Sequence, residues 1–174
     1  MSNHIIYSAF LLLCSIIFVQ SDINCPKLSE PSDFNSKQYF GTWYAVRGIE
    51  HSNNLKEKAK RNKTCPKVTV SDKKNNVWEF EWTTNDTKRF RLKEDPQIPG
   101  RLTKVVKGET IGMMQITTIP GINNIWAVTI CKPDRIASAI LSSTPIFKKE
   151  LIEKLTTILN NQGLKTDYVY DRCD

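Results

Sequence analysis

The chain has 174 residues, 40% of them hydrophobic and 25% charged, with a formal net charge of +7. That length fits one domain. The excess of Lys and Arg points either to acidic partners or to simple solubility and says nothing of fold; because those cations are spread along the chain, it argues against nucleic acid as a partner.

Ile5 to Val19 is an apolar run centred on Leu11, Leu12 and Leu13, and the small residues Val19 and Ser21 suit signal-peptidase cleavage before Asp22. Residues 1–21 are therefore expected to be a signal peptide and residues 22–174 the single mature domain. A signal anchor is the competing reading, since no Lys or Arg precedes the run, but the run falls short of the ~20 residues a membrane span needs. No later stretch is apolar enough to span a bilayer. The mature protein is expected to be secreted, extracellular and not membrane-spanning.

Cys14 leaves with the leader, and Cys25, Cys65, Cys131 and Cys173 remain. An even number in an exported chain implies two disulfides, with three connectivities open. The spacings are long and no C-x-x-C pair occurs, which argues against a zinc site. Asn62 and Asn85 head two glycosylation sequons in polar, turn-like surroundings.

Pro26 to Asp33 reads as an irregular lead-in. Asn35 can cap a short helix through Tyr39 that ends near Gly41, and Trp43-Tyr44-Ala45-Val46 predicts a first strand. His51 to Lys63 is polar, charged and expected to be a long loop. Lys67 to Val70 predicts the next strand and residues 73–76 a turn. In Val77 to Thr84, Trp78, Phe80 and Trp82 share one face while Glu79, Glu81 and Thr83 share the other. After a turn at Asn85-Asp86, Arg89 to Lys93 sets Phe90 and Leu92 opposite Arg89, Arg91 and Lys93. Pro96, Pro99 and Gly100 break the chain before strands at Arg101 to Val106, Met113 to Ile119, Asn124 to Cys131 and Ile136 to Leu141. This succession predicts an antiparallel barrel or sandwich.

The period then changes. Phe147, Leu151, Leu155 and Ile158, with Ile152 and Leu159 alongside, recur at helical spacing. Thr144 is the expected N-cap, Pro145 the first helical residue and Asn161-Gln162-Gly163 the stop. Tyr168 to Tyr170 predicts a last strand before Cys173.

Phe34, Tyr39 and the run Gly41-Thr42-Trp43-Tyr44 resemble the G-x-W motif of the lipocalins. Ile140 to Pro145, the amphipathic helix after it, Gly163-Leu164 and the terminal Cys resemble that family's third motif and C-terminal helix. The resemblance covers nearly the whole mature chain. It implies an all-β fold: an eight-stranded antiparallel up-and-down barrel, one C-terminal α-helix packed outside, and a short N-terminal helix closing the bottom over Gly41 and Trp43. It also implies the pairing Cys25–Cys131 and Cys65–Cys173. Two departures stand out. The family's T-D-Y second motif is replaced by Gly121-Ile122-Asn123-Asn124, and Ser143 stands where the third motif carries an Arg over the barrel Trp, so that cation is either missing or supplied from elsewhere. Cys25, Phe34, Tyr39-Phe40 and the G-x-W-Y run resemble the salivary lipocalins of blood-feeding bugs, the triabin and nitrophorin relatives.

A nitrophorin-like haem site needs a His on a barrel strand. The mature chain has only His51, in a loop where it is expected to be solvated, so no cofactor is expected. No metal site and no catalytic residue are expected either: two disulfides leave no free thiol, and Glu79 with Glu81 reads as the wet face of a strand. The ligand-site candidates are Trp78, Phe80 and Trp82, with Tyr44, Met113 and Trp126 behind them; the alternative is that the aromatic row fills the core or lies under the helix. Arg89, Arg91 and Lys93 lie on the surface if Phe90 and Leu92 point inward. If the cations point into the barrel mouth they would hold a carboxylate or phosphate, since Arg pairs such groups bidentately. The function expected is sequestration of a small lipophilic or amphipathic ligand by a monomer, with no enzyme activity. The salivary resemblance implies an inhibitor of host haemostasis or inflammation. The alternative is a scaffold whose basic exterior binds a host protein or an anionic membrane.

Overall fold

Strands that alternate apolar and polar residues bury one face each, and here the buried faces meet in a closed ring. The structure, a computed structural model, describes residues 25–31, 34–51, 65–107 and 109–173. The expected signal peptide, the Asn62 sequon and residues 52–63 of the expected loop lie outside the described residues. The strands are β1 (Gly41–Glu50), β2 (Lys67–Lys73), β3 (Val77–Thr83), β4 (Thr87–Glu94), β5 (Arg101–Val106), β6 (Glu109–Ile119), β7 (Ile122–Lys132) and β8 (Arg135–Ser142). Each pairs antiparallel with the next, and β1 pairs with both β8 and β2, which closes an eight-stranded up-and-down barrel. A helix, α1 (Lys149–Asn161), packs outside, and a ninth strand, β9 (Tyr168–Asp171), lies along the half of β1 that β2 leaves free.

Two apolar clusters divide the protein. The inner one fills the barrel and includes Trp43, Val68, Trp78, Phe80, Leu92, Leu102, Met114, Ile116 and Trp126. The outer one joins Val46, Ile49, Ile125 and Ile140 on the barrel wall to Ile152, Leu155 and Leu159 of α1. Neighbouring residues on β1 divide between the clusters: Ala45 belongs to the inner and Val46 to the outer. The β1–β8 register slips by one residue between Ala45 and Arg47, the signature of a β-bulge.

Turn chemistry explains several boundaries. Asn75 and Asn76 take left-handed backbone, φ 66° and 58°, in the β2–β3 turn, a conformation that Asn tolerates better than most residues. Asn35 caps a single 3-10 turn, Ser36–Tyr39, accepting the Lys37 N–H at 3.1 Å. The helix starts four residues later than Pro145. The Thr144 hydroxyl donates to the Ile146 carbonyl at 2.7 Å and the Thr144 N–H donates to Ser142 Oγ, so the expected cap is spent in a tight turn. Lys148 stands at the N-cap without a side-chain cap. At the other end Gly163, φ 86°, lets its own N–H reach Asn160 O and the Leu164 N–H reach Leu159 O, which is how a glycine after the last turn satisfies orphan carbonyls.

Both disulfides are present: Cys25–Cys131 ties the lead-in to β7, and Cys65–Cys173 ties the start of β2 to the tail.

Candidate ligand-binding site

The barrel interior has two unlike halves. Around the start of β1 it is packed with rings. Trp43 donates its indole N–H to the Tyr39 carbonyl at 2.9 Å and meets Trp126 edge-on at 5.4 Å. Tyr39 stacks on Phe34 at 5.4 Å and on Trp78 at 6.2 Å. Trp78 and Phe80 are each 1% exposed, too little for either to face a water-sized void. Burial pushes the Tyr39 phenol above its ordinary pKa, which keeps it protonated. Trp78 donates its indole N–H to Glu94 Oε2 at 3.1 Å. This half is core.

Toward the end of β1 the inner face loosens. Trp82, Phe90, Ile130 and Ala139 are half-buried against the same cluster, and Phe90 stacks flat on Phe80 at 5.2 Å. Glu50 stands on this inner face opposite Ala137 of β8, and Arg135, two residues from Ala137, shares that face. Glu50 is fully buried, and it accepts two hydrogen bonds from the Arg135 guanidinium, one of them at 2.9 Å. The tail completes the wall. Tyr170 faces Gly48 across the β1–β9 pairing. Arg172 donates to the Tyr170 hydroxyl at 3.0 Å and lies over the Tyr170 and Trp82 rings, at 4.8 and 5.8 Å.

The sequence-derived candidates distribute unevenly over this geometry. Trp78, Phe80 and Trp82 all point inward, so the aromatic row does not lie under the helix; Trp82 alone sits in the half-exposed part. Trp126 points inward but is 1% exposed in the packed end. Tyr44 is corrected to the outer cluster beneath α1, because Trp43 and Ala45 take the inner positions on either side of it. Met113 is likewise on the outer side, since Met114 takes the inner place.

The inward alternative for Arg89 and Arg91 does not hold. Leu92 and Phe90 point inward and turn both cations out, where Arg89 pairs with Glu81 at 2.6 Å and Arg91 with Glu79 at 2.7 Å. Glu79, held by Arg91 and by Lys73, stays ionised below the usual carboxylate range. His51 is not solvated as expected. Its ring is half-buried between Lys165 O and Ser138 Oγ, each at 2.8 Å.

Closure of eight strands in sequential order, with one helix outside and the tail strand returning to β1, decides the architecture. The fold is the lipocalin fold. The solution NMR structure of lipocalin 12 from rat epididymis is similar to this chain with a TM-score of 0.68 at 13% identity, over 84% of this chain and 90% of that one. No family model matches the sequence, and no curated protein matches it. In lipocalin terms the packed end is the closed bottom and the Trp82–Phe90 end the mouth.

A cleft of about 220 Å³ lies at the bottom, lined by Gln38, Tyr39, Ile119, Ile122 and Asn123 among others. Among the described residues no cluster of His, Cys, Asp and Glu could hold a metal ion, and no helix is long and apolar enough to cross a membrane.

The mouth residues Glu50, Arg135, Tyr170 and Arg172 were not among the sequence candidates. For the tail the signal was present: Tyr168, Tyr170 and Arg172 alternate with Val169 and Asp171, a period of two that puts them on one face. For Glu50 no sequence signal existed, because an acidic residue after an apolar strand reads as the start of a loop.

Proposed function

We propose that the protein is an exported lipocalin that sequesters a small lipophilic or amphipathic molecule in the mouth half of its barrel. One observation carries this reading: the lumen changes from ring-packed core at Trp78 and Phe80 to a half-exposed aromatic wall at Trp82 and Phe90. Ligand sites are concave, mostly apolar and furnished with a few polar groups, and the mouth supplies Tyr170, Arg135 and Arg172. Export is supported by the leader-like run from Ile5 to Val19 and by two disulfides, which persist in oxidising compartments. Asn85, exposed in the β3–β4 turn, is the proposed glycan site of the folded domain, alongside Asn62. A role in saliva against host haemostasis or inflammation belongs to the same proposal and rests on the likeness of the N-terminal motif to salivary lipocalins. No catalysis is proposed, since the four mature cysteines are paired.

Native mass spectrometry of the secreted protein against fatty acids, eicosanoids, nucleotides and biogenic amines tests this. A stoichiometric adduct is expected. The absence of any adduct from a protein with intact disulfides would remove the reading.

The second reading, a host protein or anionic membrane on the basic exterior, is favoured by one patch. Val105, Val106 and Ile111 are exposed at the β5–β6 hairpin beside Lys107. Binding there should weaken with added salt. On the β3–β4 face Arg89 and Arg91 are locally neutralised by Glu81 and Glu79.

A further inference from the structure

In the mouth a guanidinium lies against aromatic rings with no carboxylate partner among the described residues. Arg172 is half-buried. Its contacts among the described residues are the Tyr170 hydroxyl and the faces of Tyr170 and Trp82. Its neighbour Arg135 differs in this respect, because the fully buried Glu50 carboxylate accepts two of its hydrogen bonds. Desolvating a cation without a counter-charge is costly, and stacking on rings offsets only part of that, about 0.5–2 kcal/mol in general. Two further cations stand on the same face of their strands by register. Lys88 stands opposite Trp82 on β4, and Lys104 shares the inner face of β5 with Leu102, across from Gly112.

The arrangement is therefore asymmetric in charge and in polarity. Below lies an apolar floor of Phe90, Ile130 and Ala139. Above it lies a guanidinium fixed in orientation by two rings and one hydroxyl. A planar guanidinium held in place loses little further freedom when it forms paired hydrogen bonds to an oxyanion. We infer that the barrel mouth selects an amphiphile with an anionic head, a carboxylate or a phosphate, which Arg172 binds on its Trp82–Tyr170 shelf while the apolar tail lies against Phe90 and Ile130. This deepens the proposed function and rests on it. It also relocates the cation that the sequence led one to seek on β4: the anion site is made by the C-terminal strand, held in place by Cys65–Cys173 immediately beside it.

The test uses the intact, disulfide-bonded protein and three probes that differ only in the head: decanoate, decyl phosphate and decan-1-ol, titrated by calorimetry. At least one anion should bind about tenfold or more tighter than the alcohol, the scale of a charge-assisted hydrogen bond. Which anion gains identifies the head group. In Arg172→Gln the gap should close with the alcohol's affinity unchanged, whereas Arg172→Lys should keep part of it. Added salt should weaken the anion and spare the alcohol in the unaltered protein, a measurement that does not depend on any variant folding. The inference is overturned if the alcohol binds as tightly as both anions, or if Arg172→Gln weakens all three alike. Failure of all three to bind removes the ligand-site reading itself, and this inference with it.

Discussion

The phenol ring of Tyr170 lies across Gly48: a Cβ built on Gly48 would stand 2.2 Å from Tyr170 Cζ and 2.3 Å from its hydroxyl oxygen. Glycine is required at that point of β1 because the tail strand lays an aromatic ring over it, an arrangement by which a ring covers the backbone a glycine leaves bare. Gly48→Ala must push the ring aside and break its hydrogen bond with Arg172. The expected loss is about 1–3 kcal/mol, the usual range for overpacking. In a Tyr170→Ala background the same substitution should cost much less, and a double-mutant cycle by urea denaturation measures that coupling. Equal costs in both backgrounds would mean the ring does not rest there.

Arg47 joins three elements from the outer side of β1. Its side chain is 7% exposed, with Nε 2.7 Å from Asp171 Oδ1 on β9 and Nη1 2.8 Å from Glu153 Oε1 on α1. Burial works against its charge, and hydrogen bonds with Asp171 and then Glu153 more than compensate. Removing both acids in Asp171→Asn/Glu153→Gln strands a buried cation, with an expected loss of about 3–5 kcal/mol. Arg47→Met should be milder, because both carboxylates are about half exposed and rehydrate where they stand. Chemical denaturation of the three proteins gives the order directly.

The inner and outer sides of the barrel were legible where alternation was clean, as in Trp78-Glu79-Phe80-Glu81-Trp82. Alternation alone could not say which side faced the lumen; that depended on closure of the ring and on where α1 packed. The reading of β1 stopped at Val46 although the strand runs to Glu50. A bulge upsets the period at Val46, and Arg47 and Glu50 look like loop residues until their ion partners arrive from elements about a hundred residues away. Thr144 shows the complementary failure: it is a competent cap by composition, but its hydroxyl found a closer carbonyl in Ile146. The pairing of the cysteines followed from family likeness, since four cysteines with irregular spacing leave every connectivity open.

The Cys65–Cys173 bridge closes a span of 108 residues and pins the tail at the point where β9 takes over from β2 along β1. Replacing both cysteines by serine should cost about 2–5 kcal/mol. The loss should also be local. Amide exchange should quicken in residues 168–172 while β3 and β4 keep their protection, because among the described residues the strand paired with β9 is β1. Uniform loss of protection across the barrel would show that the bridge supports the whole fold rather than the tail.

His51 sits at the end of β1 in a chain of hydrogen bonds whose direction can be worked out. Lys165 O only accepts, so Nδ1 carries the proton and donates to it at 2.8 Å. Nε2 then accepts from the Ser138 hydroxyl, whose oxygen accepts in turn from Thr129 at 2.8 Å. Burial lowers the pKa of the imidazole; the Lys165 carbonyl, Asp167 and Glu50 pull the other way without cancelling that effect. The folded value therefore lies below the unfolded value of about 6.5. On acidification the unfolded chain takes up the proton first, so the His51 contribution is present above about pH 6.5 and is lost as pH falls through the folded value. The urea midpoint of the native protein should decline from about pH 7 toward about pH 5.5, above the range where ordinary carboxylates titrate. His51→Gln supplies a neutral donor and acceptor in a similar place and should hold a flat midpoint across that interval. A native protein that is flat there, or a variant with the same slope, would mean that His51 is free to protonate where it stands.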